Sequence, residues 1–158
     1  MPKMGIKKKT GDTLHVSWRV VYEPGPVKVV TRKNNTTVLE KTIHTAGAPA
    51  RIIATADRSK IHADGSDLSF ITVKIVDKAG NLVPDAANLV QFDVKGNGFI
   101  AGVDNGSPVS MESFKANNRK AFNGMCLAVI QSNGRPGIVS VTASATGLAP
   151  VTLQVTAK

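Results

Sequence analysis

Acidic side chains are the first residues of this chain whose chemistry could serve a reaction. A hydrolase with paired carboxylates uses one as general acid and base and the other as nucleophile, about 5 Å apart. The chain has only three glutamates, in a predicted turn, a predicted edge strand and a long predicted loop: Glu23, Glu40 and Glu112. None of them lies at the end of a barrel strand, because the sequence predicts no barrel. We therefore predict no catalytic residue in this chain.

Aspartates and histidines could instead hold a metal ion, because carboxylate oxygens bind Ca²⁺ and imidazole nitrogens bind Zn²⁺. The histidines are scattered over predicted loops and solvent faces: His15, His44 and His62. The aspartates that could bind Ca²⁺ match no known loop motif: Asp57, Asp64, Asp67 and Asp104. The alternative is structural: Asp64-Gly65 forms a turn, while Asp57 and Asp67 accept hydrogen bonds from backbone amides at strand ends. We predict this structural role, no metal site and no cofactor.

Other reactive motifs are missing from the sequence. It contains no glycine-rich phosphate loop, no dinucleotide fingerprint and no nucleophile elbow. Cys126 is the only cysteine, so no intrachain disulfide can form. It lies in an apolar run, Met125–Ile130, which predicts a small buried hydrophobic residue. A reactive thiol is the alternative, but no histidine or aspartate is close in sequence.

Two aromatic residues could bind a sugar, because aromatic rings stack on the apolar faces of galactose-like rings. Trp18 and Tyr22 are these residues, and both fall on the apolar face of one predicted strand. That placement favours a role in a hydrophobic core. Sugar stacking remains the alternative.

The loop over 113–124 combines apolar and cationic residues in a pattern that is typical of an interface. Phe114 and Phe122 would be exposed in a free loop, with three cations between them: Lys115, Arg119 and Lys120. Apolar anchors with a charged rim predict a contact with another domain. The alternative is that both phenylalanines fold back and close the end of the domain.

The first third of the chain predicts a short three-stranded β segment. Residues 13–22 alternate apolar and polar side chains, which predicts a strand that ends at Glu23-Pro-Gly-Pro26. Further strands are predicted over 27–31 and 36–44, joined by an Asn34-Asn35 turn. A sheet this small buries too little apolar surface to fold alone. Residues 1–45 must therefore pack on another element, or they are the closing strands of a domain whose first strands are missing. We favour the second alternative.

The remainder predicts an immunoglobulin-like antiparallel β-sandwich over 46–158, so the whole chain is expected to be all-β. Seven short strands are separated by turn signals such as Asn97-Gly98 and Asn123-Gly124; they cover 50–57, 68–77, 88–94, 98–103, 125–132, 137–144 and 150–157. Alternation predicts which side chains point inward: Val90, Phe92, Val94, Leu127, Val129, Val151, Leu153 and Val155. Residues 104–124 form a long insertion between strands, which is often functional.

Composition and charge limit the classes of partner. With 158 residues and 42% hydrophobic content, the chain can form a packed core. The formal net charge of +9 would suit nucleic acid, but the Lys7–Lys9 run has no interleaved aromatic residues and no recognition helix follows it. We predict a solvated or interdomain face and no nucleic-acid partner. The sequence has no apolar run that could span a membrane and no visible secretory signal.

Several segments, in this order, resemble the C-terminal region of Bacteroidetes-type glycoside hydrolase family 2 β-galactosidases. They cover most of the chain: Gly11–Gly25, Thr45–Ile52, Ala56–Arg58, Ala63–Gly65, Gly102–Gly106, Ser113–Lys115 and Arg119–Gly124. In that family a sugar-binding-fold domain, an immunoglobulin-like domain and a catalytic barrel precede further immunoglobulin-like domains. The resemblance implies that residues 1–45 are the closing strands of a partial immunoglobulin-like domain, the penultimate one, and that residues 46–158 are the last, invasin-like domain. It also implies export to the periplasm or the cell surface.

The resemblance implies that the chain itself is not an enzyme, because the catalytic glutamates of that family lie in the barrel and have no counterpart here. The first hypothesis is an accessory module whose partners are the catalytic and neighbouring domains of a β-galactosidase. The second is a carbohydrate-binding module that holds the enzyme on galactoside glycans. The third is an adhesin-like structural spacer.

Overall fold

The computed structural model describes Gly5 and residues 16–158, and its described part is all-β without any helix. The chain divides into two compact units, Met1–His44 and Thr45–Lys158. No helix in the described part is long and apolar enough to cross a membrane.

The first unit contains an antiparallel hairpin of two strands, β1 (Pro26–Lys33) and β2 (Thr36–His44). Asn34 and Asn35 connect them with φ values of 50° and 62°, as a tight hairpin turn requires. Both strands, and the turn between them, match the sequence-based expectation. Nearly every residue of the hairpin is exposed, on both faces.

The strand predicted over 13–22 is wrong for the residues that the structure describes. Residues 16–22 adopt no strand conformation, and residues 13–15 lie outside the described part. A strand gains its stability from pairing with a neighbour, and no ladder involves 16–22 within the described residues. The alternation of apolar and polar residues is therefore not sufficient evidence for a strand here.

The second unit is a two-layer sandwich of nine strands. The first layer has the order β7-β9-β5-β3 and the second continues as β11-β10-β6-β8, with β4 beside β11. The strands are β3 (Arg51–Ala56), β4 (Lys60–Ile61), β5 (Leu68–Val76), β6 (Leu89–Gly96), β7 (Gly98–Asp104), β8 (Asn118–Lys120), β9 (Met125–Ser132), β10 (Gly137–Ala145) and β11 (Leu148–Ala157). Pairing is antiparallel except where β11 meets β3 and β4. This architecture confirms the predicted immunoglobulin-like sandwich.

The core lies between the layers and is made of small aliphatic residues. Ile71 and Val73 of β5 belong to the same buried cluster as Val139 and Val141 of β10, and this cluster also contains Cys126. The burial of such side chains is the main force that holds two sheets together. Seven predicted strands are present, whereas the short strands β4 and β8 were missed.

The inward face predicted for one strand is wrong. Leu127 and Val129 are only half-buried, and the fully enclosed residues of β9 are their neighbours Cys126, Ala128 and Ile130. This strand is apolar on both faces, so alternation cannot decide which face points inward. The inward residues predicted on β6 and β11 are buried or packed against the core.

Candidate functional site

The long loop between β7 and β8 joins the outer edges of the two layers. β7 is the last strand of the first layer, and β8 is the last strand of the second. The loop folds back along β7: Val103 donates its backbone N–H to the carbonyl of Phe114 at 2.8 Å. Lys115 Nζ donates to the carbonyl of Ala101 at 2.8 Å. The loop therefore covers an otherwise unpaired sheet edge.

Arg119 lies at the centre of this arrangement, with 0% of its surface exposed. β8 places it opposite Val90 of β6. Its Nη1 donates to the carbonyl of Glu112 at 2.9 Å, and its Nη2 lies 3.3 Å from Asp104 Oδ1. Sequence analysis placed Arg119 among the cations that rim a candidate interface, but the structure buries it, because these loop acceptors enclose the guanidinium group.

The ring of Phe114 covers the same guanidinium group. The Cζ atom of Arg119 lies 4.9 Å from the ring centroid, within the range of a cation–π contact. Nε of Arg119 has no hydrogen-bond partner among the described residues and is 3.9 Å from Glu112 Oε2. Phe114 is thus a structural partner of Arg119 on one side and exposed on the other, with 59% of its surface accessible.

The carboxylate of Glu112 is engaged in holding the loop. Its Oε1 accepts from the backbone N–H of Lys120 at 3.2 Å, and its Oε2 accepts from Ser110 Oγ at 3.1 Å. Arg119 also interacts with this residue, through the Glu112 carbonyl and through Oε2. This geometry gives Glu112 a structural role.

The remaining predicted interface residues lie at the surface of the second unit. Lys115 and Lys120 are exposed, and Phe122 is 38% exposed. The prediction that these residues contact another domain remains a prediction.

Sequence analysis missed two apolar residues of the same loop, Val109 and Met111. They are 82% and 96% exposed, which is more than either phenylalanine. They stand one residue apart in Pro108-Val-Ser-Met-Glu112, a short apolar alternation inside a polar loop. That alternation was the available signal.

A shallow pocket of about 430 Å³ opens beside the loop. The residues that line it include Phe122, Asp104 and Cys126. Burial raises the pKa of Cys126 to about 12, so its thiol stays protonated at neutral pH. This result confirms the predicted role of Cys126 as a small buried residue.

The aspartates of the 57–67 region bond to the backbone as the structural alternative predicted. Asp64 Oδ1 accepts from the backbone N–H groups of Ser66 and Asp67, at 2.8 Å each. Asp67 Oδ2 accepts from His62 N–H, and Asp57 Oδ1 accepts from Phe70 N–H. The backbone donors lower the pKa values of Asp64 and Asp67. No group of three or more potential metal ligands occurs among the described residues.

The two predicted sugar-stacking residues lie in the first unit, where both are exposed. Trp18 is 40% exposed and Tyr22 is 74% exposed. Residues 16–22 form no strand that could bury one face within this chain, and the core role that the strand pattern favoured stays a prediction. Stacking on a sugar remains a prediction.

Comparison with known proteins connects this geometry to a family. Residues 52–154 match the model of the glycoside hydrolase family 2 C-terminal domain 5, and residues 2–39 match a domain of unknown function, DUF4982. The chain is 57% identical, over 154 residues, to the β-galactosidase BoGH2A of Bacteroides ovatus. That match covers 98% of this chain and 18% of the enzyme's length.

Solved structures with the same fold carry similar names. A glycosyl hydrolase family 2 member from Bacteroides cellulosilyticus matches with a TM-score of 0.85 and 39% identity. A β-glycosidase from Bacteroides vulgatus matches with a TM-score of 0.84 and 28% identity. These matches cover 89% and 88% of this chain, but only 18% of each neighbour. The chain belongs to the C-terminal domain 5 family of glycoside hydrolase family 2, which confirms the resemblance inferred from its sequence segments.

Proposed function

We propose that this chain is a non-catalytic accessory module of a longer family 2 glycosidase that hydrolyses β-galactosides in the periplasm or at the cell surface. One observation carries the proposal: 98% of the chain matches a β-galactosidase at 57% identity, over just 18% of that enzyme's length. The structural role of Glu112 supports it, because hydrogen bonds from Ser110 and Lys120 occupy both carboxylate oxygens.

Residues 1–45 fit this proposal as the closing strands of an immunoglobulin-like domain. The β1–β2 hairpin is exposed on both faces and includes apolar residues such as Val38, Leu39 and Ile43. An isolated hairpin of this kind is at most marginally stable in water. Additional strands from the same longer polypeptide would cover it, and residues 46–158 would follow as the invasin-like domain.

Hydrolysis of p-nitrophenyl β-galactoside tests the accessory role. The purified 158-residue chain should release no nitrophenol above the buffer rate, whereas the complete polypeptide that carries it should do so. Glu112→Gln, made in the complete polypeptide, should retain hydrolysis because this carboxylate holds the loop. Turnover by the isolated chain, abolished by Glu112→Gln, would refute the proposal.

A carbohydrate-binding function is the second candidate, favoured by the exposure of Trp18 and Tyr22. Trp18 is the only tryptophan, so intrinsic fluorescence reports on this residue alone. Titration with galactosides should give a saturable change that Tyr22→Ala weakens, if the rings stack on sugar. A flat titration removes this candidate. The adhesin-like spacer predicts neither sugar binding nor contact with a catalytic domain.

A further inference from the structure

We propose that the loop between β7 and β8 is a preformed docking surface for another domain of the same longer polypeptide. The docking surface consists of Val109, Met111 and Phe114. The proposal rests on the accessory role and specifies how the module attaches. Arg119 acts as a positioning residue that fixes the shape of this surface.

The first argument is the exposure of three large apolar side chains within six residues. Met111 is 96% exposed, Val109 is 82% exposed and Phe114 is 59% exposed. Single exposed apolar side chains are normal on a folded protein, but an exposed apolar patch rimmed by polar residues marks an interaction site. Methionine and aromatic residues are also enriched in the centres of protein interfaces. The loop thus has the composition of an interface centre.

The second argument is that hydrogen bonds fix the backbone behind these side chains. Glu112, between Met111 and Phe114, accepts from both Ser110 and Lys120. The carbonyl of Phe114 accepts from β7, and Lys115 Nζ bonds to the carbonyl of Ala101. A surface already held in one conformation loses little conformational entropy on binding.

The third argument concerns the buried charge of Arg119. Desolvation of a guanidinium group opposes burial, so a buried ion pair is weak evidence for a role in stability. Within the part of the chain that the structure describes, Nε of Arg119 remains without a hydrogen-bond partner. The interactions of Arg119 reach Asp104 at the end of β7, the carbonyl of Glu112 and the ring of Phe114. These contacts set the position of the loop relative to both sheet edges.

The kind of partner that binds the docking surface is inferred from the length of the related polypeptide and from the charge near the surface. The family is a C-terminal domain of glycoside hydrolases, and the matching β-galactosidase is a polypeptide of which this chain covers 18%. Most of such a polypeptide is thus available to contact the module. Two exposed cations are close to the docking surface along the chain: Lys115 follows Phe114, and the backbone N–H of Lys120 bonds to Glu112. The partner should therefore present apolar side chains bordered by carboxylates.

Oxidation of methionine tests the proposal with a residue that is already present. Hydrogen peroxide is applied to the isolated chain and to the complete polypeptide, and peptide mass spectrometry follows the sulfoxide at Met111. Exposure controls this reaction, so we expect Met111 to oxidise at least about tenfold more slowly in the complete polypeptide. Met125, partly buried in β9, is the internal reference and should change little.

Variants separate docking from other causes of protection. Val109→Asp in the complete polypeptide should restore rapid oxidation of Met111, whereas Ile138→Asp, at an exposed apolar position on β10, should not. Arg119→Leu should also restore oxidation of Met111 without increasing that of Met125. An increase at both methionines would show general unfolding and refute the positioning role.

Equal oxidation of Met111 in the isolated chain and in the complete polypeptide would refute docking. Protection in the isolated chain that grows with its concentration would identify a second copy as the occupant, and would also overturn the proposal. The accessory role is tested separately by β-galactoside hydrolysis. An active complete polypeptide with unprotected Met111 would therefore refute the docking surface alone.

Discussion

At the residue scale, the buried Arg119 connects parts of the loop that are distant in sequence. It bonds to the Glu112 carbonyl, approaches the Asp104 carboxylate and lies against the Phe114 ring. Arginine is among the residues least often buried, so no sequence pattern indicated that Arg119 lies inside. Its burial follows from tertiary structure, because three short loop segments bring their acceptors to one point. This is where prediction of the candidate site from sequence failed.

Replacement of Arg119 by leucine should lower the free energy of unfolding by about 2 kcal/mol. The reason is that Asp104, Glu112 and the Glu112 carbonyl lose a charged donor. Both carboxylates are only half-buried and regain water, which keeps the loss below that of a fully buried pair. Urea unfolding of the full chain measures the change.

The control for this prediction is Lys120→Leu, which alters the neighbouring exposed residue of the same strand. It should leave the free energy of unfolding within about 0.5 kcal/mol of the wild type. If Arg119→Leu were as stable as this control, the buried network would contribute nothing to the fold.

At the element scale, turns were the most predictable part of the structure. Asn123-Gly124 connects β8 to β9 with φ values of 50° and 75°, and the bonds between Phe122 and Met125 close the turn. Asn-Gly signals a hairpin because both residues tolerate positive φ. In contrast, β8 contains three residues and pairs only with β6. No periodicity can be recognised over so short a segment, so its existence depends on tertiary context.

Substitution of alanine at Gly124 should destabilise the sandwich far more than the same change at Gly147. Both glycines have positive φ, but a Cβ at Gly124 would lie 2.3 Å from the carbonyl oxygen of Val83, whereas one at Gly147 meets open space. We expect a loss of about 1 kcal/mol at Gly147 from backbone strain alone. At Gly124 the added clash should increase the loss to about 3 kcal/mol or more.

Thermal unfolding of the two variants under identical conditions measures this difference. Equal losses would mean that the backbone around Val83 yields to the new methyl group without cost.

At the scale of the whole molecule, the class of fold could be predicted from the sequence better than the number and bounds of the strands in each unit. Regular short strands with glycine-containing turns specified the sandwich, because period-two alternation reflects one buried and one solvated face. The first unit was less predictable: an alternating segment such as 13–22 becomes a strand only beside a partner. The orientation of β9 also required the assembled core. In both cases the packing of neighbouring strands determines the structure, and the local alternation of apolar and polar residues does not.

The second unit should lose stability in acid between about pH 4 and pH 2. Backbone N–H of Gly47, followed by the side chain of Asn81, lowers the pKa of Asp77 to about 2 from its ordinary value of 3.8. The pKa values of Asp64 and Asp67 are also lowered by backbone hydrogen bonds. The unfolded chain therefore binds protons first as the pH falls, and these carboxylates stabilise the fold fully only above about pH 4.

Urea unfolding at several pH values between 5 and 2 measures this dependence. Asp77→Asn should reduce stability at pH 5 and flatten the decline below pH 4, because the amide does not titrate. Asn81→Ala removes one bond to Asp77 Oδ2, 3.1 Å long, and leaves the bond from Gly47 N–H in place. The slope of its free energy of unfolding against pH should therefore lie between the slopes of the wild type and of Asp77→Asn. Identical slopes in all three proteins would mean that the bonds around Asp77 do not couple protonation to folding.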